Sequence, residues 1–337
     1  MPAPHPETWL RNTPAGLYCV PGDFHIDPMR AVDRAVITHG HADHARAGHR
    51  RVLATPETVA IMQTRLGERC AESLQPLPLG ERLALGDCRI WLAPAGHVLG
   101  SAQVVIEHAG ARVVISGDYK RRADPTCVSF EPVACDVFVT EATFALPVYR
   151  HPDATREVDR LLRSMALLPE RTHVLGAYSL GKAQRMLALI REAGDDRPIW
   201  LHPAAGKLCD TYRRFGVDLG RLRSAEEAEP ADLAGGLVLA PPAALQERWG
   251  RAGLAPPVVA QASGWFGVRS RTRARETDLP LVVSDHADWP ELTQTLQDVG
   301  AREIWVTHGD HQAFALWARN RDLRIRALSE IGADAAG

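Results

Sequence analysis

Short apolar runs rich in valine and isoleucine recur along this chain, and several of them stop abruptly on an ionisable residue. Runs of this kind predict buried strands of a sheet covered on both faces. Residues 35–38, 136–141, 281–286 and 304–308 all read this way, and the last three end on Glu141, His286 and His308. Earlier, residues 16–20 and 24–28 flank a Pro21-Gly22-Asp23 turn, a strand-turn-strand pattern. Residues 51–54 predict a further strand. Thr55-Pro56 then supplies an N-cap and a proline at the first helical position, so a helix is expected to run to Leu66 and stop at Gly67. From 82 to 118 the pattern is all strand: 82–85, a Gly86-Asp87 turn, 88–93, then 103–107 and 112–116 across a loop with Gly110.

Past residue 141 the period changes. Val158, Leu161, Leu162, Met165 and Leu168 have helical spacing, 174–178 reads as a strand, and a helix over 182–193 is entered through Ser179-Leu180-Gly181. Further short strands are expected at 199–201, 237–240 and 258–260, with helices over 207–215 and 243–252. Strands alternating with helices predict a separate parallel α/β unit. Near 281 the first style returns, with helices after Asp288 and over 312–320. The expected organisation is one domain built from 1–145 and 281–337, carrying 146–280 as an insertion.

Composition narrows the function classes only slightly. With 337 residues and 45% hydrophobic content a sizeable core is available. A formal charge of −2 and a pI near 6.7 provide no global attraction to nucleic acid or anionic lipid, so polyanion binding has to be local. Lys120-Arg121-Arg122, Arg213-Arg214 and the alternating Arg269, Arg271, Arg273 and Arg275 are such local segments. In a strand the last four share one face, and an ordinary solvated face fits them equally. Six cysteines without a Cys-x-x-Cys pair indicate neither a thiolate zinc site nor a redox motif, and predict buried free thiols in a reducing compartment. No run reaches the roughly 18 apolar residues of a membrane span. The first residues lack the apolar core of a secretory signal, so the expected location is cytoplasmic, away from membranes.

The chemistry concentrates at His39-Gly40-His41-Ala42-Asp43-His44, directly after the strand at 35–38. Imidazoles and a carboxylate packed this densely call for a divalent cation as partner, and two ligand pairs suggest two metals. His97, in a glycine-flanked loop, and Asp118, in Ser116-Gly117-Asp118, follow at strand ends. His97 then becomes the expected third imidazole. Asp118 becomes the bridging carboxylate, since an aspartate can offer one oxygen to each ion.

This cluster resembles the signature of the metallo-β-lactamase fold, an αββα sandwich of α/β class. Thr140-Glu141-Ala142-Thr143, Ser284-Asp285-His286-Ala287-Asp288 and Thr307-His308-Gly309-Asp310 resemble the three marks of its β-CASP nuclease branch, which carries an inserted α/β domain. Ser179-Leu180-Gly181-Lys182-Ala183-Gln184 and Ser263-Gly264-Trp265 are similar to secondary motifs of that branch, and the whole is most similar to bacterial ligase-associated DNA exonucleases. The resemblance implies that His39, His41, His97 and Asp118 hold one ion, and Asp43, His44, Asp118 and His308 the other, with Zn²⁺ favoured and Mn²⁺ compatible. It implies a general acid at His286 oriented by Glu141, and a nucleophilic water activated between the metals beside Asp43. Lys182 with Ser179 would contact phosphate, Trp265 would stack on a base, and Arg269 would contact the strand. The inserted block would close a cleft over single-stranded DNA during repair or end processing, with a link to a DNA ligase and helicase. A histidine at 308 is typical of RNA-cutting members, so RNA is the alternative substrate. Asp27 falls where a metal-loop brace is expected, and a turn aspartate before Pro28 fits as well. A small-molecule hydrolase would leave Lys182 and Trp265 without a role.

Overall fold

The computed structural model describes residues 4–245, 256–268, 277–309 and 311–331. The chain forms two units, Met1–Pro147 with His286–Gly337, and Val148–Asp285.

In the first unit two sheets lie face to face. One has six strands in chain order, Leu10–Thr13, Gly16–Cys19, Phe24–Ile26, Arg34–Val36, His49–Ala54 and Ala71–Pro76, antiparallel at its start and parallel thereafter. The other has seven, ordered Arg324–Ala327, Glu303–Gly309, Val137–Ala142, Ala111–Ile115, Ala102–His108, Cys88–Pro94 and Leu83–Leu85. Period-two geometry explains why its strands read as continuous apolar runs. Ile90, Leu92, Val104, Ile106, Val113, Ile115, Val137 and Val139 fill the space against the first sheet. Their alternates Trp91, Val105, Val114 and Phe138 pack on the opposite face with Leu292 and Leu296 of the helix Trp289–Asp298 and Phe314 of the helix Gln312–Ala318. On the outer face of the first sheet, Val59 and Met62 of the helix Pro56–Leu66 meet Ala35, Ile37 and Val52. The layers are therefore α, β, β, α.

The helix Pro56–Leu66 begins and ends where its sequence signals stand. Thr55 Oγ1 accepts from the Thr58 amide at 3.1 Å, and Gly67 closes the helix with a φ of 90°. Thr55 and Thr58 both donate their hydroxyls to the Gly100 carbonyl, which ties this helix to the His97 loop.

The second unit is a six-stranded sheet, parallel throughout, in the order Leu222–Ser224, Ile199–Leu201, Leu237–Ala240, His173–Gly176, Val258–Ala262 and Leu279–Leu281. Its helices include Ala154–Leu167, Lys182–Glu192 and Pro203–Arg214. The strand expected over 281–286 is displaced: it occupies Leu279–Leu281 at the sheet edge, where Pro280 is tolerated, and residues 282–286 form a loop. Of the helix expected over 243–252, a 3-10 turn at Pro242–Ala244 is described and the rest lies outside the described residues. Arg269, Arg271, Arg273, Arg275 and Asp310 also lie outside them. Four strands absent from the sequence reading, Leu10–Thr13, Ala71–Pro76, Leu222–Ser224 and Arg324–Ala327, are all sheet edges. Their polar composition fits an edge and carries no apolar signal. All six cysteines are free, but Cys127 and Cys135 are half-buried where burial was expected. No helix among the described residues is long and apolar enough to cross a membrane.

Candidate metal centre

The cluster after the strand Arg34–Val36 is shaped by a single carboxylate. Asp27 accepts the Thr38 amide at 2.8 Å and the Thr38 hydroxyl at 2.6 Å, and its Oδ2 lies 2.7 Å from His44 Nδ1. Engaging Nδ1 turns the other ring nitrogen of His44 inward, as an outer carboxylate does for a metal-binding histidine. Asp27 (φ 43°) and His308 (φ 51°) both occupy the left-handed region, an unusual backbone held at the centre of the site.

Three imidazole nitrogens then converge. His41 Nδ1 is 3.1 Å from His39 Nε2 and 3.0 Å from His97 Nε2, while Asp118 Oδ2 stands 3.6 Å and 3.8 Å from those two Nε2 atoms. Asp118 faces a second group as well: Oδ2 is 3.5 Å from His44 Nε2 and Oδ1 is 3.6 Å from His308 Nδ1. Both sets, His39-His41-His97-Asp118 and His44-Asp118-His308, bring their ligand atoms within 4.8 Å of one another. His44 Nε2 and Asp118 Oδ1 are buried without a hydrogen-bond partner. Nitrogen and oxygen atoms directed at one another and left unsatisfied are the environment a divalent cation completes, so the residues fit a dinuclear site.

In the metal-free chain burial and charge pairing treat these groups differently. Burial holds the His39 imidazole well below its ordinary pKa, in the neutral form a ligand requires. Burial also acts to lower His44, but Asp27 and then Asp118 hold it well above the ordinary value. For Asp118 burial acts upward, yet His286, His308 and His44 hold its carboxyl well below the usual range.

A third group shares Asp118. His286 Nδ1 lies 2.9 Å and 3.1 Å from the two oxygens of Glu141, which is fully buried at the end of its strand. Glu141 is fixed in turn by the Tyr119 amide at 2.8 Å and by the Thr143 hydroxyl. The His286 ring is 4.6 Å from that of His97. A cavity of about 400 Å³ opens beside His44 and His308, walled by Leu17, Met29 and Leu328.

Not every expected residue joins these groups. The Asp43 side chain is 71% exposed at the rim, its Oδ2 3.7 Å from His44 Nε2, and it belongs to none of the three sets. In the second unit Lys182 is buried and paired with Asp285 at 3.1 Å. A buried ammonium needs a nearby counter-charge, and Asp285 supplies it at the residue expected to contact phosphate. Ser179 is half-buried, and its carbonyl accepts from Gln184 Nε2 at 2.9 Å. Trp265 is half-buried with its ring edge-on to Tyr149, 5.3 Å between centroids. Thr38, Tyr119 and Thr143 shape the site without having been singled out in the sequence, and Thr38 carried one signal, its place between strand and cluster; Lys120, expected in a local basic segment, is buried beside the site.

Gly96 sets the approach of the His97 loop. Its φ is 72°, and a Cβ there would stand 2.3 Å from the Lys120 carbonyl oxygen and 2.9 Å from the Phe130 amide. Gly96→Ala is expected to destabilise the protein by about 2–4 kcal/mol through strain and backbone collision. It should also lower metal affinity by displacing His97, and denaturant unfolding with metal titration checks both effects.

Comparison with known proteins agrees with this geometry. Residues 30–176 match the model of the metallo-beta-lactamase superfamily. A probable DNA ligase of Opitutus terrae is 29% identical over 318 residues, covering 94% of this chain and 30% of that protein. A ribonuclease of Thermus thermophilus is 30% identical over 57% of this chain and 51% of its own length. The cleavage and polyadenylation specificity factor subunit 3-I of Arabidopsis thaliana is 25% identical over 62% of this chain and 36% of its own. The chain thus spans between about a third and a half of these relatives. A solved protein of unknown function from Enterococcus faecalis superposes with a TM-score of 0.60 over 87% of this chain and 78% of the other, at 14% identity, a likeness of fold. The chain has the metallo-β-lactamase fold, and its nuclease relatives are consistent with the β-CASP branch.

Proposed function

We propose that the chain is a phosphodiesterase that uses two divalent cations to remove nucleotides from DNA ends, with single-stranded DNA as the substrate in repair or end processing. The observation that carries this reading is the meeting of three groups at Asp118: two His/Asp sets and the Glu141–His286 pair. His39, His41, His97 and Asp118 would hold one cation, and His44, Asp118 and His308 the other, with the Asp43 carboxylate as a further oxygen donor at the rim. The nitrogen and oxygen donors suit Zn²⁺ and also accommodate Mn²⁺. Such ions, when bound, make water a nucleophile near neutral pH and neutralise charge on the phosphoryl oxygens. The chain's own residues supply the proton at the other end of the reaction. Glu141 engages Nδ1 of His286, favouring the imidazolium, and Nε2 passes the proton to the departing sugar oxygen.

What supports DNA is the ligase-named relative, which matches 94% of the chain, whereas the ribonuclease relative matches 57%. The same relative supports a functional tie to a DNA ligase. The second reading is an RNA-processing nuclease, favoured by His308 in the second metal set and by the ribonuclease and endoribonuclease relatives.

The test is cleavage of DNA and RNA oligonucleotides of identical sequence, each labelled at either end, with Zn²⁺ or Mn²⁺ and with Asp118→Ala as the blank. Stepwise shortening of DNA with RNA spared is the expected result and reveals the direction. Preferential RNA cutting would replace the DNA reading with the second one, and no cleavage of either polymer by metal-loaded protein would overturn both.

A further inference from the structure

Lys120 is a buried charge to which the proposed reaction gives no part. It is 3% exposed, in the segment that follows Asp118. Its ammonium lies 3.5 Å from the main-chain oxygen of His286 and 3.8 Å from Glu291 Oε2. Glu291 and Asp288, also buried, form the capping box that starts the helix after His286. The neighbouring residues grip the same loop. The Ala287 amide donates to the Tyr119 carbonyl at 2.7 Å, the Arg122 amide to Glu291 Oε1 at 2.7 Å, and Arg122 Nη2 to Asp288 Oδ2 at 2.7 Å. On its other side the Lys120 main chain is packed by the His97 loop: its amide donates to the Ala95 carbonyl at 3.0 Å, and Gly96 leaves no room for a Cβ against its carbonyl.

Residues 119–122 are therefore wedged between the loop that brings His97 and the loop that brings His286. A lysine in such a place costs desolvation that a similarly shaped apolar side chain would avoid. What the ammonium adds is a directed contact with the backbone of His286, braced by Glu291. We propose that Lys120 is a positioning residue for His286: through the His286 carbonyl and Glu291 it holds the loop so that the imidazole stays on Glu141 and aims at the leaving oxygen. This rests on the reading of His286 as the proton donor.

The experiment compares two phosphodiesters. One is whichever polynucleotide the wild type cleaves, whose sugar oxygen needs a proton to depart. The other is bis(4-nitrophenyl) phosphate, whose acidic phenol departs without one. A small displacement of a reacting group costs up to about 100-fold. Lys120→Met is accordingly expected to lower kcat on the polynucleotide by about 10- to 100-fold with KM and bound metal unchanged, and to leave the nitrophenyl ester at nearly the wild-type rate. Lys120→Arg should recover part of the loss. If Lys120→Met does not fold, Glu291→Gln serves: its one remaining oxygen can keep the capping-box hydrogen bond, while the charge that braces the lysine and the acceptor of the Arg122 amide are lost, and a loss with the same selectivity is expected.

Equal losses on both esters would overturn the proposal, and so would a rise in KM alone, which would make Lys120 a phosphate contact. His286→Ala separates the two levels of the argument. If that variant loses both esters equally, the proton-donor reading fails. If it is selective and Lys120→Met is not, only the positioning role fails.

Discussion

Replacing Asp118 by alanine is expected to abolish turnover and strip the protein of bound metal. One carboxylate serves both ligand sets: Oδ2 lies 3.5–3.8 Å from His39, His44 and His97, and Oδ1 lies 3.6 Å from His308. Its loss leaves the first set with three imidazoles and the second with two. The first side then lacks any anionic ligand to offset the charge of a dication, and the second keeps only the Asp43 carboxylate at the rim. Charge neutralisation by metal supplies several kcal/mol at the transition state, and each 1.36 kcal/mol is tenfold in rate, so kcat should fall by at least about 10³-fold. Elemental analysis after dialysis checks the metal. A thermal readout adds an independent criterion, because a ligand that binds only the folded state raises its stability by mass action. Added Zn²⁺ should raise the midpoint of the wild type and leave that of Asp118→Ala in place. Wild-type metal content in the variant would mean that the bridging role belongs elsewhere, with the exposed Asp43 the next residue to examine.

The second large effect is expected at His286, and its signature is different. Its ring is held by Glu141 and lies beside His97, so the two roles open to it are proton donor and additional ligand. A positioned general acid contributes about 10²–10⁴-fold. His286→Ala should lose that much in kcat while retaining metal at the wild-type level. The pH profile carries the sign of the role. A donor works only while protonated, so wild-type activity falls on the alkaline side as the imidazolium loses its proton, and this limb should vanish in the variant. Metal lost together with activity would convert His286 into a ligand and remove the proton-donor step.

Much of this was legible in the chain. Apolar runs ending on Glu141 and His308 located strands whose ends carry chemistry, and Thr55-Pro56 with Gly67 marked one helix at both ends. The helix Lys182–Glu192 and the strands Ile199–Leu201 and Leu237–Ala240 were equally visible. Local signals sufficed there, since a cap is a contact within one turn and a buried strand is a run of its own residues. The edge strands were not visible. Residues such as Arg324–Ala327 take extended form because a neighbour offers its hydrogen-bonding edge, and Leu279–Leu281 stops short of His286 because the chain leaves the sheet after Pro280.

At the site, the sequence alone singled out the candidate metal ligands, because His39, His41, Asp43 and His44 form a dense cluster and His97, Asp118 and His308 stand at strand ends. Only the tertiary structure decided how they are used. It made Asp118 the residue common to three groups, left Asp43 at the rim, placed Asp27 against His44 where brace and turn residue had fitted equally, and gave Lys182 a buried partner in Asp285. The physical reason is that ligand chemistry belongs to a side chain, whereas burial and charge pairing depend on which distant segments meet. A lysine near a helix start reads as an anion contact from its own neighbours, whereas the aspartate that stands against it comes from far along the chain and is set only by the fold.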